Sequence, residues 1–178
     1  TPSPTATRPS APTSPVTRPT IISRAGWGAD ETMRRAEPGY GKAVKVVFVH
    51  HTATTNDYAC ADSPKIIRSL YTYHVQSKGW DDLGYNFVTD KCGTLYEGRA
   101  GGVDLPVIGA HTRGFNTDST GITVIGNYTA TKTLTAARTT IAHLAAWNPG
   151  AYGIRPSATS TLIEGATGSS GFTKGQPD

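Results

Sequence analysis

The sequence predicts an α/β (α+β) domain, a central mixed β-sheet flanked by helices, behind an unstructured tail. Three observations point there. A valine-rich run, Lys45 to Val49, is short, apolar and suited to a pleated, buried strand. Two longer segments place apolar residues three and four apart, the helical spacing. Between them lie short β-type runs joined by turn residues, so strands and helices alternate along one chain.

The tail comes first. Of residues 1–20, 6 are Thr, 6 are Pro and 3 are Ser, types that neither pack a core nor hold a helix. Residues 1–20 are therefore expected to be a linker, and residues 21–178 the folded domain. With 178 residues in all, that domain is large enough for one proper core and too small for two.

Within the domain, Lys45 to Val49 is the first strand, and it runs into the pair His50-His51. Ser63-Pro64 then opens a helix, SPKIIRSLYTYHVQSKG, with Ser63 as the expected N-cap, Pro64 in the first turn and Gly79 as the stop. GYNFVTD and TLYEG are expected as two strands around the hairpin turn Lys91-Cys92-Gly93. A further strand is expected over Asp118 to Asn127. LTAARTTIAHLAAWNPG is the second helix, with Leu134, Ile141, Leu144, Ala145 and Trp147 on one face and Asn148-Pro149-Gly150 at its end. Beyond Tyr152 the composition is that of a loop.

Charge excludes one class of function. The formal net charge is +4, but 7 Lys/Arg against 3 Asp/Glu fall up to Lys45 and 10 against 10 beyond it. The excess sits in the tail and entry segment, and the folded body lacks the basic stripe that a nucleic-acid surface needs. No stretch approaches the roughly 20 apolar residues of a membrane span. Cys60 and Cys92 are the only cysteines. An even count behind a secreted-looking tail favours a disulfide; two buried thiols or two metal thiolates are the competing readings.

The histidines carry the candidate chemistry. Side chains alternate across a strand, so His50 and His51 cannot point to the same place. The blocks VVFVHHTAT, YHVQSKGWDDLGYNF, GTLYEGRAGG and VIGAHTRGFNTDSTGITVIGNY, in that order, resemble the peptidoglycan recognition protein family, which includes zinc-dependent N-acetylmuramoyl-L-alanine amidases. The resemblance runs from about Ile21 through Gly153 and implies that fold. It also implies hydrolysis of the amide between N-acetylmuramic acid and L-alanine, zinc as cofactor, peptidoglycan or a muropeptide as partner, and a secreted, cell-wall location.

Carried over residue by residue, the resemblance makes His50 a zinc ligand and Tyr85 the catalytic tyrosine. It places His51, His74, Trp80, Arg99, His111 and Asn116 at or beside the substrate cleft. Cys60 and Cys92 fall where related secreted bacterial sequences carry a pair. One part of the pattern is missing. The family's other two zinc ligands lie in a later block, Gly-His-Arg-Asp and then Thr-x-Cys-Pro-Gly, and no His follows His143 and no Cys follows Cys92. The expectation is therefore an amidase domain that is C-terminally incomplete, truncated or nicked, with its cleaved C-terminal segment as a possible partner. The alternative is a non-catalytic peptidoglycan-binding or inhibitor protein on the same fold.

Overall fold

A four-stranded sheet organises the chain in the computed structural model, which describes residues 8–165. Residues 1–7 of the expected linker and 166–178 of the expected terminal loop lie outside the described residues. The strands are β1 (Val46–His51), β2 (Phe87–Thr89), β3 (Leu95–Glu97) and β4 (Ser119–Val124). Their order is β1-β4-β2-β3. β4 runs parallel to both β1 and β2, while β2 and β3 form the antiparallel hairpin, so the sheet is mixed as expected.

Three helices complete the described fold: α1 (Arg24–Trp27), α2 (Ser63–Thr72) and α3 (Thr135–Gly150). Two apolar clusters lie on the two faces of the sheet. Ile67 and Tyr71 of α2 pack with Trp27, Val88 and Ile125; Leu144 and Trp147 of α3 pack with Phe87, Leu95 and Ile122. Alternation along β4 produces this division, since Ile122 faces α3 while its neighbour Thr123 faces the side of α2.

The helix boundaries differ instructively from those the sequence suggests. α2 does not continue regularly to Gly79: it ends at Thr72 and widens into a π-helical turn, Tyr73–Ser77. Such turns add a residue to the helix and re-aim its side chains. Here the turn buries His74, which is 4% exposed. Ser63 is not the N-cap; it is the first helical residue, and its buried hydroxyl donates to Asp90 Oδ2 at 3.0 Å. In α3, Pro149 lies inside the last turn, and Leu134, expected on the buried face, precedes the helix and is exposed.

Neither α1 nor its anchoring was visible in the sequence pattern. Arg24 is buried and forms ion pairs with Glu31 and Asp82, at 2.7 and 3.1 Å, while stacking over Trp27 and Tyr71. The cysteines form the disulfide Cys60–Cys92, which ties the start of α2 to the β2–β3 turn. Residues 8–20 carry no helix or strand. Their second half lies along α3: Val16 packs against the α3-side core, Arg18 pairs with Asp104 at 3.0 Å, and His143 Nε2 donates to the Thr17 carbonyl at 2.8 Å.

Candidate functional site

The C-terminal end of β1 delivers His50 to a group of aromatic rings. Its imidazole lies 5.4 Å, centre to centre, from both Tyr85 and His111, and Phe48 is 6.4 Å away. His74 is 5.6 Å from Tyr85 and 4.5 Å from Trp80. Five of the residues singled out from sequence, His50, His74, Trp80, Tyr85 and His111, thus form one connected group. It sits between the π-helical turn after α2 and the ends of β1 and β4.

Local backbone chemistry explains how each is held. Asn86 anchors the strand ends: its Oδ1 accepts from Gly121 N–H at 2.9 Å and its Nδ2 donates to the Val107 carbonyl at 2.8 Å. The His111 ring lies directly over Gly121, where a Cβ would come within 2.4 Å of it. Glycine is required there because the ring occupies the space of a side chain. Asn116 holds the same loop, its Oδ1 accepting from the backbone N–H of His111 and of Thr112 at 2.8 and 2.9 Å.

The electrostatics keep all three imidazoles neutral. Burial, with the nearby charge of Lys78 and Arg99, depresses the His74 pKa to about 4. Burial, His50 and Arg99 depress that of His111 to about 3. His50 is also lowered, by burial and then by His51. His74 Nδ1 accepts from Gly84 N–H at 3.0 Å, which places its remaining proton on Nε2. Burial raises the Tyr85 phenol above its ordinary value, while the nearby Thr123 hydroxyl opposes the rise, so Tyr85 is a neutral O–H donor near neutral pH.

Three residues from the sequence reading have other surroundings. His51 is turned from the ring cluster; its Nδ1 accepts from Tyr128 N–H at 2.8 Å and fastens the loop after β4. Arg99 donates to the Leu83 carbonyl at 3.1 Å and is half-buried near Asp82 and Asp81, its charge reaching His74 and His111. Asn116 has its carboxamide oxygen committed to the loop it supports. Sequence reasoning missed Asn86, Thr112, Gly121 and Thr123. Of these, Thr112 bridges the rings, its Oγ1 lying 3.1 Å from His111 Nδ1 and 3.4 Å from His50 Nε2. A signal was present: all four sit within or next to the blocks that carry the histidines.

The solved structures similar to this chain share its fold. Peptidoglycan recognition protein LE, solved with tracheal cytotoxin, a monomeric diaminopimelic acid-type peptidoglycan, superposes with a TM-score of 0.64 at 35% identity over 71% of each chain. The family profile described as N-acetylmuramoyl-L-alanine amidase matches residues 40–173. The chain belongs to that family. Among curated relatives, peptidoglycan-recognition protein SC2 of Drosophila melanogaster is 37% identical over 69% of this chain and 63% of its own length. The N-acetylmuramoyl-L-alanine amidase of Sus scrofa is 37% identical over 63% of this chain and 18% of its own length. The chain therefore spans less than two thirds of these relatives.

Zinc, typical of the family, can be tested against the donors that the chain offers. Among the described residues, one group of three metal-ligating side chains is close enough to hold an ion, Cys60, Asp90 and Cys92. Its sulfurs are joined in the disulfide and are not thiolates, and Asp90 already accepts from Ser63, Cys92, Thr94 and Tyr96. Beside His50, His111 Nε2 is buried and without a hydrogen-bond partner among the described residues. Two imidazoles fall short of the three protein ligands of a catalytic zinc site. The donors present do not fit a complete site.

Proposed function

We propose that this chain is the substrate-recognition body of an N-acetylmuramoyl-L-alanine amidase: it binds the junction between the muramoyl group and the stem peptide of peptidoglycan. The observation that carries the reading is the connected ring group, in which His50 and His74 both flank Tyr85, His111 lies against His50, and Trp80 lies against His74. Neutral imidazoles and a phenol can hydrogen-bond an amide-rich ligand without the cost of desolvating a charge. The indole face suits the apolar side of a sugar or of an alanine side chain. Tyr85 O–H is the donor for the carbonyl oxygen of the scissile amide, where its bond strengthens as negative charge develops.

Family membership and relatives named as amidases support hydrolysis as the reaction of the complete protein. Zinc supplies the activated water in such a reaction. The chain's own donors do not complete that site, so we assign it no metal-dependent step, and propose hydrolysis only together with further metal ligands. A second reading, recognition without cleavage, is favoured by the similarity to recognition proteins. Either reading places the protein outside the cell at the wall, in keeping with its disulfide.

Calorimetric titration with N-acetylmuramoyl-tripeptide tests the proposal. The expected result is saturable binding that is weakened at least tenfold by Tyr85→Phe combined with Trp80→Ala. Absence of binding, or equal binding by that variant, would overturn it.

A further inference from the structure

On the sheet face beneath the ring cluster lies a side chain that neither the sequence motifs nor the proposed binding reading uses. Thr123 is fully buried at the centre of the sheet, 0% exposed. It pairs in register with His50 on β1 and with Val88 on β2. Register partners in parallel strands present their side chains to the same face, so Thr123 shares a face with His50. Two residues earlier on that face is Gly121, the seat of the His111 ring. Thr123 therefore stands in the floor of the ring cluster, between the residue beneath His111 and the end of the strand.

Its hydroxyl is buried and closes no hydrogen bond of ordinary geometry among the described residues. A buried hydroxyl is rarely left so, because an unmade bond keeps the whole desolvation penalty. Valine would fill the same volume on a β-strand without that penalty. The ring of its register partner His50 lies 5.4 Å from the Tyr85 ring, and the Thr123 hydroxyl is near enough to the Tyr85 phenol to oppose the rise in its pKa.

We propose that Thr123 is a positioning residue for Tyr85: its hydroxyl donates to the phenol oxygen and aims the phenol proton at the carbonyl of the bound muramoyl amide. The two hydroxyls form a short relay, Thr123 O–H to Tyr85 Oη and Tyr85 O–H to the ligand, and no proton changes owner. A hydrogen bond received by the phenol oxygen makes the phenol a stronger donor, since consecutive bonds polarise one another. The second half of this inference rests on the proposed muropeptide reading; the first half, the Thr123–Tyr85 bond, does not.

The test uses the full chain with Thr123→Val, Thr123→Ser and Tyr85→Phe, alone and combined. Binding of N-acetylmuramoyl-tripeptide is measured by calorimetry, and the 13Cζ shift of Tyr85, assigned from Tyr85→Phe, reports on its hydrogen bonding with or without ligand. Thr123→Val is expected to move the Tyr85 13Cζ signal and to weaken binding by about threefold to tenfold, the range for one hydrogen bond. Thr123→Ser restores both. In the Tyr85→Phe background Thr123→Val has no further effect, because the two residues act as one unit. An unmoved 13Cζ signal in Thr123→Val overturns the pairing itself. A moved signal, with equal loss of affinity in both backgrounds, overturns the aiming role. If the native chain binds no muropeptide, the functional reading fails, while the 13Cζ signal still decides the pairing.

Discussion

His74 shows how one residue's environment sets its chemistry. With its pKa depressed from the ordinary 6.5 to about 4, it stays neutral in the folded protein where the unfolded chain binds a proton. The unfolded state then holds more protons between those two values, so this group's contribution to stability is complete above about pH 6.5 and is lost as pH falls toward 4. Histidine titration by NMR is expected to show the His74 signal still neutral at pH 5; a midpoint near 6.5 would contradict the burial. Gly121 makes a steric counterpart. Gly121→Ala places a methyl group within 2.4 Å of the His111 ring and must push it from its seat. The expected outcome is at least tenfold weaker muropeptide binding with the sheet retained by circular dichroism. Undiminished binding would show that His111 has no fixed place in the cleft.

At the scale of elements, the disulfide and the π-helical turn stand out. Cys60–Cys92 spans 32 residues and closes the loop that contains α2 and β2. Closing a loop of that length stabilises by on the order of 3 to 4 kcal/mol through the unfolded state. The double variant Cys60→Ala, Cys92→Ala should lose about that much in urea denaturation, with the Asp90-centred turn still formed; no change would mean that the turn bonds alone hold the hairpin. The strands and both long helices were legible in the sequence because valine runs, turn residues and three-and-four spacing are local signals. The π-helical turn was not, since YHVQS has nothing helix-breaking in it and the widening follows from packing of His74 between Trp80 and Gly84. Arg24 was equally hidden. A charge that is buried only because Glu31 and Asp82 meet it is a tertiary event.

For the whole molecule, the candidate site was half legible. The histidines and Tyr85 stood in recognisable blocks, and alternation along β1 correctly separated His50 from His51. The supporting residues lay in the same blocks but their roles were not legible: Asn86, Gly121 and Thr123 act through strand register, which no single segment displays. The metal question also belongs to this scale. Neutral imidazoles are what a metal would select, yet His50 and His111 are two donors where three are needed. Equilibrium dialysis of the chain with zinc should accordingly show no tight one-to-one binding, whereas tight stoichiometric uptake would show a donor set that the present geometry lacks.

The most direct test of the account follows the ring signals of His50, His74, His111 and Tyr85 by NMR while N-acetylmuramoyl-tripeptide and zinc are added separately. The predicted result is that the muropeptide shifts all four at stoichiometric concentrations and that zinc alone at those concentrations leaves them in place. Muropeptide binding that leaves the four rings unmoved would contradict the central claim, that these rings form the recognition site.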